Sequence, residues 1–294
     1  MIFVFQTMID AISVGSLYAL SALGIGLLFG IMRLANFAQT AYVTIGVYAL
    51  MVTAGMWFPF SALIAFAVVV AIALLSERLA FRAIRDAEPS TLLITSFAVS
   101  YFLQYGLELI FGARPIGFDL LPQLGEPMVV GGVRIPSIDI VTLSVTAVLL
   151  GALALLLLRT RIGVEMRAAA VDFQMARLLG VRADRVIAIA FAISGVLAAA
   201  VAVLLAAQTG IASPTMGLQI VLVGFVATVI GGMGSLVGAA LGGLAVGAVS
   251  VGLQAVLPPD LRSFREAFVY AVVIAVLIFR PQGLFRSTAM RERA

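Results

Sequence analysis

The 294-residue sequence has no cysteine, no histidine and no lysine; its eighteen basic residues are all arginine. Without cysteine there are no disulfides and no thiol nucleophile. Without histidine, imidazole acid–base chemistry and most transition-metal sites are excluded. Without lysine, the phosphate-gripping loop GxxxxGK[ST] has no reaching side chain, so this chain does not bind ATP in that way. Charge of either sign is scarce, 11% of residues, against roughly a quarter in soluble domains. There is too little polar surface to cover a water-soluble globule.

What is present is apolar. Hydrophobic residues make up 63% of the chain and the mean hydropathy is +1.19. Spanning helices need about 20 mostly apolar residues. Nine segments qualify or nearly so: 8–30, 40–57, 60–76, 91–112, 138–158, 186–208, 216–232, 234–257 and 266–280. The expected fold is an all-α polytopic membrane protein of eight to ten transmembrane or re-entrant helices, forming a single domain over residues 1–294. The first ten residues lack a basic run and a cleavage site, so no removable signal peptide is expected.

The net charge of +4 points here to arginine sorted to one face of a membrane rather than to nucleic acid. Counting spans puts Arg33, the loop with Arg78, Arg82 and Arg85, the loop 159–185 and the C-terminal arginines on one side, fourteen in all. Arg114, Arg134, Arg262 and Arg265 fall on the other. Positive charge collects in cytoplasmic loops, which predicts an outside N-terminus, a cytoplasmic C-terminus and an outer loop or hairpin at 112–137.

Residues 163–180 read as an amphipathic helix ended by Gly180. Val164, Ala168, Val171, Met175, Leu178 and Leu179 form an apolar face expected to pack on the protein. Met166, Phe173 and Arg177 lie opposite, where Phe173 either dips into lipid or anchors a partner. Elsewhere, Gly231, Gly232, Gly234, Gly238 and Gly242 crowd one stretch. Gly234, Gly238 and Gly242, four apart, predict one close-packing helix face, with Gly231–Gly234 as a candidate turn between half-helices. Asn36, Gln39, Thr40 and Tyr42, after Arg33, interrupt apolar sequence. They read first as a short cytoplasmic turn capped by Asn36 and second as a buried polar element. Glu108 is an acid inside a predicted span, near its outer end, with Gln104 one turn earlier.

Four motifs, in order, resemble permeases of the branched-chain amino acid ABC importers. GSLYALSALGIGLLFGIMRLANFAQTAYVTIGVYA (15–49) looks like the family's opening helix and NFAHG element. AxxDFQMARLLGVRADRVIAIAFAISGVLAA resembles its ATPase-coupling loop and following helix. GFVATVIGGMGSLVGAALGGLAVG (224–247) resembles its Gly-rich stretch, and VLIFRPQGLF (276–285) its closing RPxGLF. The pattern is closer to the first of the two permeases such systems carry. Two departures stand out: Gln39 and Thr40 replace the family's His and Gly, and Thr228-Val229-Ile230-Gly231-Gly232 replaces its AxLGG.

The resemblance implies a non-enzymatic permease of the bacterial inner membrane that moves branched-chain amino acids or related amino-acid and amide solutes by alternating access. It implies a second permease, two cytoplasmic ATPase subunits and an external solute-binding protein. It places Ala169, Asp172, Ala176, Leu179 and Gly180 in the ATPase-coupling segment, to which the helix pattern adds Arg167, Phe173 and Arg177. The polar residues Asn36, Gln39, Thr40, Tyr42 and Gln104 are candidates for the path. No cofactor, metal site or nucleic-acid partner is expected. The alternative from the residues themselves is an ion-gradient carrier of small polar solutes.

Overall fold

The computed structural model describes residues 2–85, 87–120, 127–130, 133–280 and 283. Pro281, Gln282, Leu284 and Phe285 of the expected closing motif, and the C-terminal Arg286, Arg291 and Arg293, lie outside the described residues. Every one of the nine apolar segments is a helix. They are α1 (Ile2–Met32), α2 (Gln39–Val52), α3 (Phe58–Ser76), α4 (Pro89–Phe111), α5 (Ser137–Arg159), α8 (Ala183–Thr209), α9 (Met216–Gly231), α10 (Leu236–Val256) and α11 (Arg265–Phe279). Two short helices, α6 (Arg161–Val171) and α7 (Phe173–Leu178), stand between α5 and α8. Among the described residues, six helices are long and apolar enough to cross a membrane. A one-turn π-helix, Glu77–Phe81, and a 3-10 turn, Arg82–Ile84, extend α3, and Pro59 and Pro89 open α3 and α4 where the missing N–H is harmless.

Strands are confined to one end. β1 (Ile116–Gly117) pairs antiparallel with β4 (Ile211–Ala212), and β2 (Pro127–Val130) with β3 (Val133–Pro136). A hairpin is therefore present in the 112–137 stretch, and the extra β1–β4 pair ties the α4–α5 connection to the end of α8.

The helices sort into a centre and a rim. In α1 the most apolar stretch is 78% buried, against 17% in α4. α1 packs against α8, α9 and α10, and α2 sits among α3, α8 and α9. Small residues permit these approaches. A Cβ on Gly243 would lie 2.4 Å from Ala19 Cα, and one on Gly247 2.2 Å from Gly15 Cα. Towards α9, a Cβ on Gly238 would meet the Gly231 carbonyl oxygen at 2.2 Å, and one on Gly242 the Ala227 carbonyl at 2.1 Å. The expected face is thus Gly238 and Gly242 without Gly234. Gly234 instead lies in the turn between α9 and α10, where it and Gly232 have φ of +93° and +102°, conformations that disfavour any side chain.

Candidate functional site

α2 has 14 residues, about 21 Å of helix, short of a hydrocarbon core of roughly 30 Å. It is short because it starts inside the protein. Gln39, its first residue, donates from Nε2 to the Ser21 carbonyl at 3.3 Å, and a Cβ on Gly24 would collide with the Gln39 amide. Gly24 is eight residues before the end of α1, about 12 Å along its axis. Residues 33–38 therefore climb back alongside α1 in non-helical form. Leu34, Ala35, Asn36, Phe37 and Ala38 are all buried. The expectation of a solvent-facing turn is corrected: Asn36 does cap the next residues, with Oδ1 accepting from Ala38 N at 3.1 Å, but it does so in the interior.

A break at this depth must have its backbone groups covered by protein. α4 supplies the cover. Its four buried residues, Leu92, Ser96, Ser100 and Gln104, stand one turn apart and form a stripe facing α2. Ser96 Oγ accepts from Phe37 N at 3.2 Å. Gln104 Nε2 donates to Thr40 Oγ1 at 3.0 Å and to Ser100 Oγ at 3.2 Å, and Thr40 and Ser100 bond each other. Phe37 stacks on Phe97 of α4, with centroids 4.3 Å apart, and tilts against Phe225 of α9.

α9 is the other short apolar helix, and its first turn abuts the first turn of α2. Gly217 N donates to Thr44 Oγ1 at 3.3 Å, and a Cβ on Gly217 would lie 2.1 Å from the Thr40 carbonyl oxygen. Two interrupted helices thus meet start to start, wrapped by α1, α4 and α8. On the α8 side, Ser194 Oγ donates to the Gly24 carbonyl at 3.3 Å. The structure brings Asn36, Gln39, Thr40, Tyr42 and Gln104 into one buried seam. Asn36 Nδ2 and the Tyr42 hydroxyl have no hydrogen bond there among the described residues. The sequence reading missed Ser96, Ser100, Thr44 and Gly217, although the four-residue spacing of Ser96, Ser100 and Gln104 was a visible signal.

The 159–185 connection differs from its expected form. α6 and α7 are separate helices, broken at Asp172, which is extended and whose Oδ1 accepts from Met175 N at 3.0 Å as the cap of α7. The buried face is also the opposite one. Gly163, Met166 (1% exposed), Ala169 and Ala176 point inward, and Phe173 is half-buried. Val164, Val171, Met175, Leu178 (81%) and Leu179 (79%) point out. The reason is closeness: a Cβ on Gly163 would lie 2.3 Å from the Leu156 and Leu157 carbonyl oxygens, so α6 lies directly on the end of α5 and only glycine fits at that contact. Arg167 Nη1 donates to the Leu157 carbonyl at 2.5 Å, closing the carbonyl end of α5. Arg167, Asp172, Arg177, Leu179 and Gly180 are exposed, while Ala169 and Ala176 form the packing floor.

Comparison with known proteins follows this geometry. The family described as branched-chain amino acid transport system permease component matches residues 7–278. The high-affinity branched-chain amino acid transport system permease protein BraD of Pseudomonas aeruginosa is 35% identical, over 95% of this chain and 94% of its own. The corresponding protein LivH of Escherichia coli is 33% identical, with the same coverage. In fold, the chain is similar to a metal-chelate type ABC transporter solved in an inward-facing conformation, with a TM-score of 0.51 and 18% identity over 94% of this chain and 87% of that one. The apolar helices and these relatives make it a multi-pass protein of the bacterial inner membrane. The chain belongs to the family of branched-chain amino acid transport system permease components.

Proposed function

We propose that this chain is the permease subunit of an ATP-driven importer, a single transmembrane domain translocating branched-chain amino acids or closely related amino-acid and amide solutes. The substrate class follows from what the relatives' names say of them. The observation that carries the coupling role is the outward apolar stripe of α6 and α7. A segment that buries its small residues and presents Val164, Val171, Met175, Leu178 and Leu179 at the Arg-rich end of the bundle is a docking surface. Its partner is an ATPase subunit, since this chain has no lysine for a phosphate loop. Arg177 and Asp172 edge the stripe and set its register, while Ala169 and Ala176 hold it on the bundle.

The α6–α7 end is the cytoplasmic one: Arg33, Arg82, Arg85, Arg167, Arg177, Arg182 and Arg185 collect there, while Arg262 and Arg265 lie at the opposite end. The N-terminus is then outside and the C-terminus inside. Transport proceeds by alternating access between two permeases, with a solute-binding protein delivering from outside. The seam at Asn36, Gln39, Thr40, Tyr42 and Gln104 is closed in this conformation. Movement of α2 against α9 exposes its amides and hydroxyls to the path, with the Gly231–Gly234 turn as the pivot between α9 and α10. The relatives are permeases of branched-chain amino acid transport systems, which supports this reading over an ion-gradient carrier.

The test is recovery of the chain from its native membrane in mild detergent, followed by uptake in vesicles. Co-purification of a second permease and ATPase subunits, with leucine uptake that requires ATP inside, is the expected result. A chain recovered alone, with uptake driven by an ion gradient, contradicts the proposal.

A further inference from the structure

A cavity of about 400 Å³ opens at the Arg-rich end of the bundle, between the end of α1, the last turns of α3, the α6–α7 segment and the start of α8. Small-molecule sites span about 300–1,000 Å³. Four guanidinium groups line it, from Arg33, Arg82, Arg85 and Arg177, against one carboxylate, Asp184. Two of the four are occupied. Arg82 reaches Asp184 at 2.8 Å, and Arg85 pairs with both Asp184 and the buried Glu77. Neither Arg33 nor Arg177 has a side-chain hydrogen bond or ion pair among the described residues. Among the described residues, two positive charges in the cavity, on different elements, are thus without a counter-charge.

Two further observations bear on the occupant. Arg33 has φ of +54°, alone among the described non-glycine residues in being positive. A long side chain seldom takes that conformation, and strain of this kind accompanies ligand sites. The remaining wall is apolar, with Ile31, Met32, Val171, Phe173 and Ile187. Bare phosphate has no use for such a wall, whereas an amphiphile with an anionic head fits both halves. Basic pockets between membrane helices on the cytoplasmic side suit anionic headgroups.

We propose that this cavity binds the phosphate group of an anionic phospholipid, gripped by Arg33 and Arg177, with the glycerol and upper acyl chains against Ile31, Phe173 and Ile187. The bound lipid links the start of the broken segment 33–38 to α7, two elements joined here by no direct side-chain bond. The readout is binding by the chain itself, so it stands or falls independently of the transported solute.

The experiment is native mass spectrometry of the chain with its co-purifying subunits, titrated with dioleoylphosphatidylglycerol, dioleoylphosphatidylcholine or inorganic phosphate. Arg33→Asn removes the charge yet suits the left-handed backbone, Arg33→Lys keeps the charge, and Arg177→Gln removes the second guanidinium. The expected result is a preference for phosphatidylglycerol over phosphatidylcholine of roughly tenfold, abolished in the Arg33→Asn/Arg177→Gln double variant and largely kept in Arg33→Lys. An unchanged preference in the double variant overturns the site. Phosphate binding lost in the double variant, without any lipid preference, overturns the lipid as its source and leaves a soluble phosphate in its place.

Discussion

Around the start of α2, the polar side chains that look out of place in an apolar sequence find one another. Gln104 bonds Thr40 and Ser100, Gln39 bonds the Ser21 carbonyl, and Thr44 receives the Gly217 amide in the first turn of α9. At the α6–α7 end the arrangement is reversed. Large apolar residues face outward, and two of the four cavity arginines lack a counter-charge among the described residues. The seam finds most of its partners within this chain, Asn36 Nδ2 and the Tyr42 hydroxyl excepted, whereas the α6–α7 end leaves its apolar stripe uncovered among the described residues. A buried break in a membrane helix must be covered within the protein, whereas an exposed apolar stripe at a helix end marks a surface built for association.

The comparison can be broken most severely at the seam's closest contact. Gly217→Leu drives a side chain into the Thr40 carbonyl, and overpacking costs about 3 kcal/mol or more where backbone must move. Membrane yield and monodispersity on size exclusion should collapse. Gly238→Leu, against the Gly231 carbonyl, should behave alike, while Gly151→Ala, with nothing within 4 Å, should be silent. Next comes the stripe. Leu178→Asp/Leu179→Asp should leave yield and thermal stability unchanged but reduce ATPase co-purification and ATP-driven uptake by about tenfold or more, since buried interface anchors contribute about 1–4 kcal/mol. A smaller effect is expected at Gln104→Leu, which leaves Thr40 and Ser100 to each other: about 1 kcal/mol of stability, read as a lowered melting temperature, with ATPase recruitment intact. Smallest is Asp172→Ala, which removes the α7 cap at a cost of about 1 kcal/mol or less, confined to that segment and seen as faster amide exchange at Met175.

Hydropathy located the membrane helices well because length and apolarity alone decide them. It overran α2, whose segment was expected to reach residue 57, because Thr53–Trp57 is apolar enough to continue the run while Gly55 and the following Pro59 end the helix. The polar seam was half legible. Asn36, Gln39 and Thr40 announced a break, but its burial depends on Ser96 and Ser100, sixty residues on, and a single stretch of sequence does not show which helix will cover it. The α6–α7 face was read in reverse for a related reason. Periodicity separates an apolar stripe from its opposite but does not say which side meets the protein. Here α6 meets the end of α5 so closely that only Gly163 fits at the contact, and Met166, Ala169 and Ala176 turn inward with it while Val164 and Leu178 face out.

The central claim is that the face of α6 and α7 carrying Val164, Met175, Leu178 and Leu179 receives an ATPase subunit. Because the chain contains no cysteine, single cysteines at positions 175, 178 and 166 each give a unique attachment point for a short photo-crosslinker in native membranes. Crosslinks to an ATPase subunit from positions 175 and 178, and none from 166, are the predicted result. Crosslinks from 166 with none from 175 or 178, or crosslinks to lipid alone from all three, would contradict it.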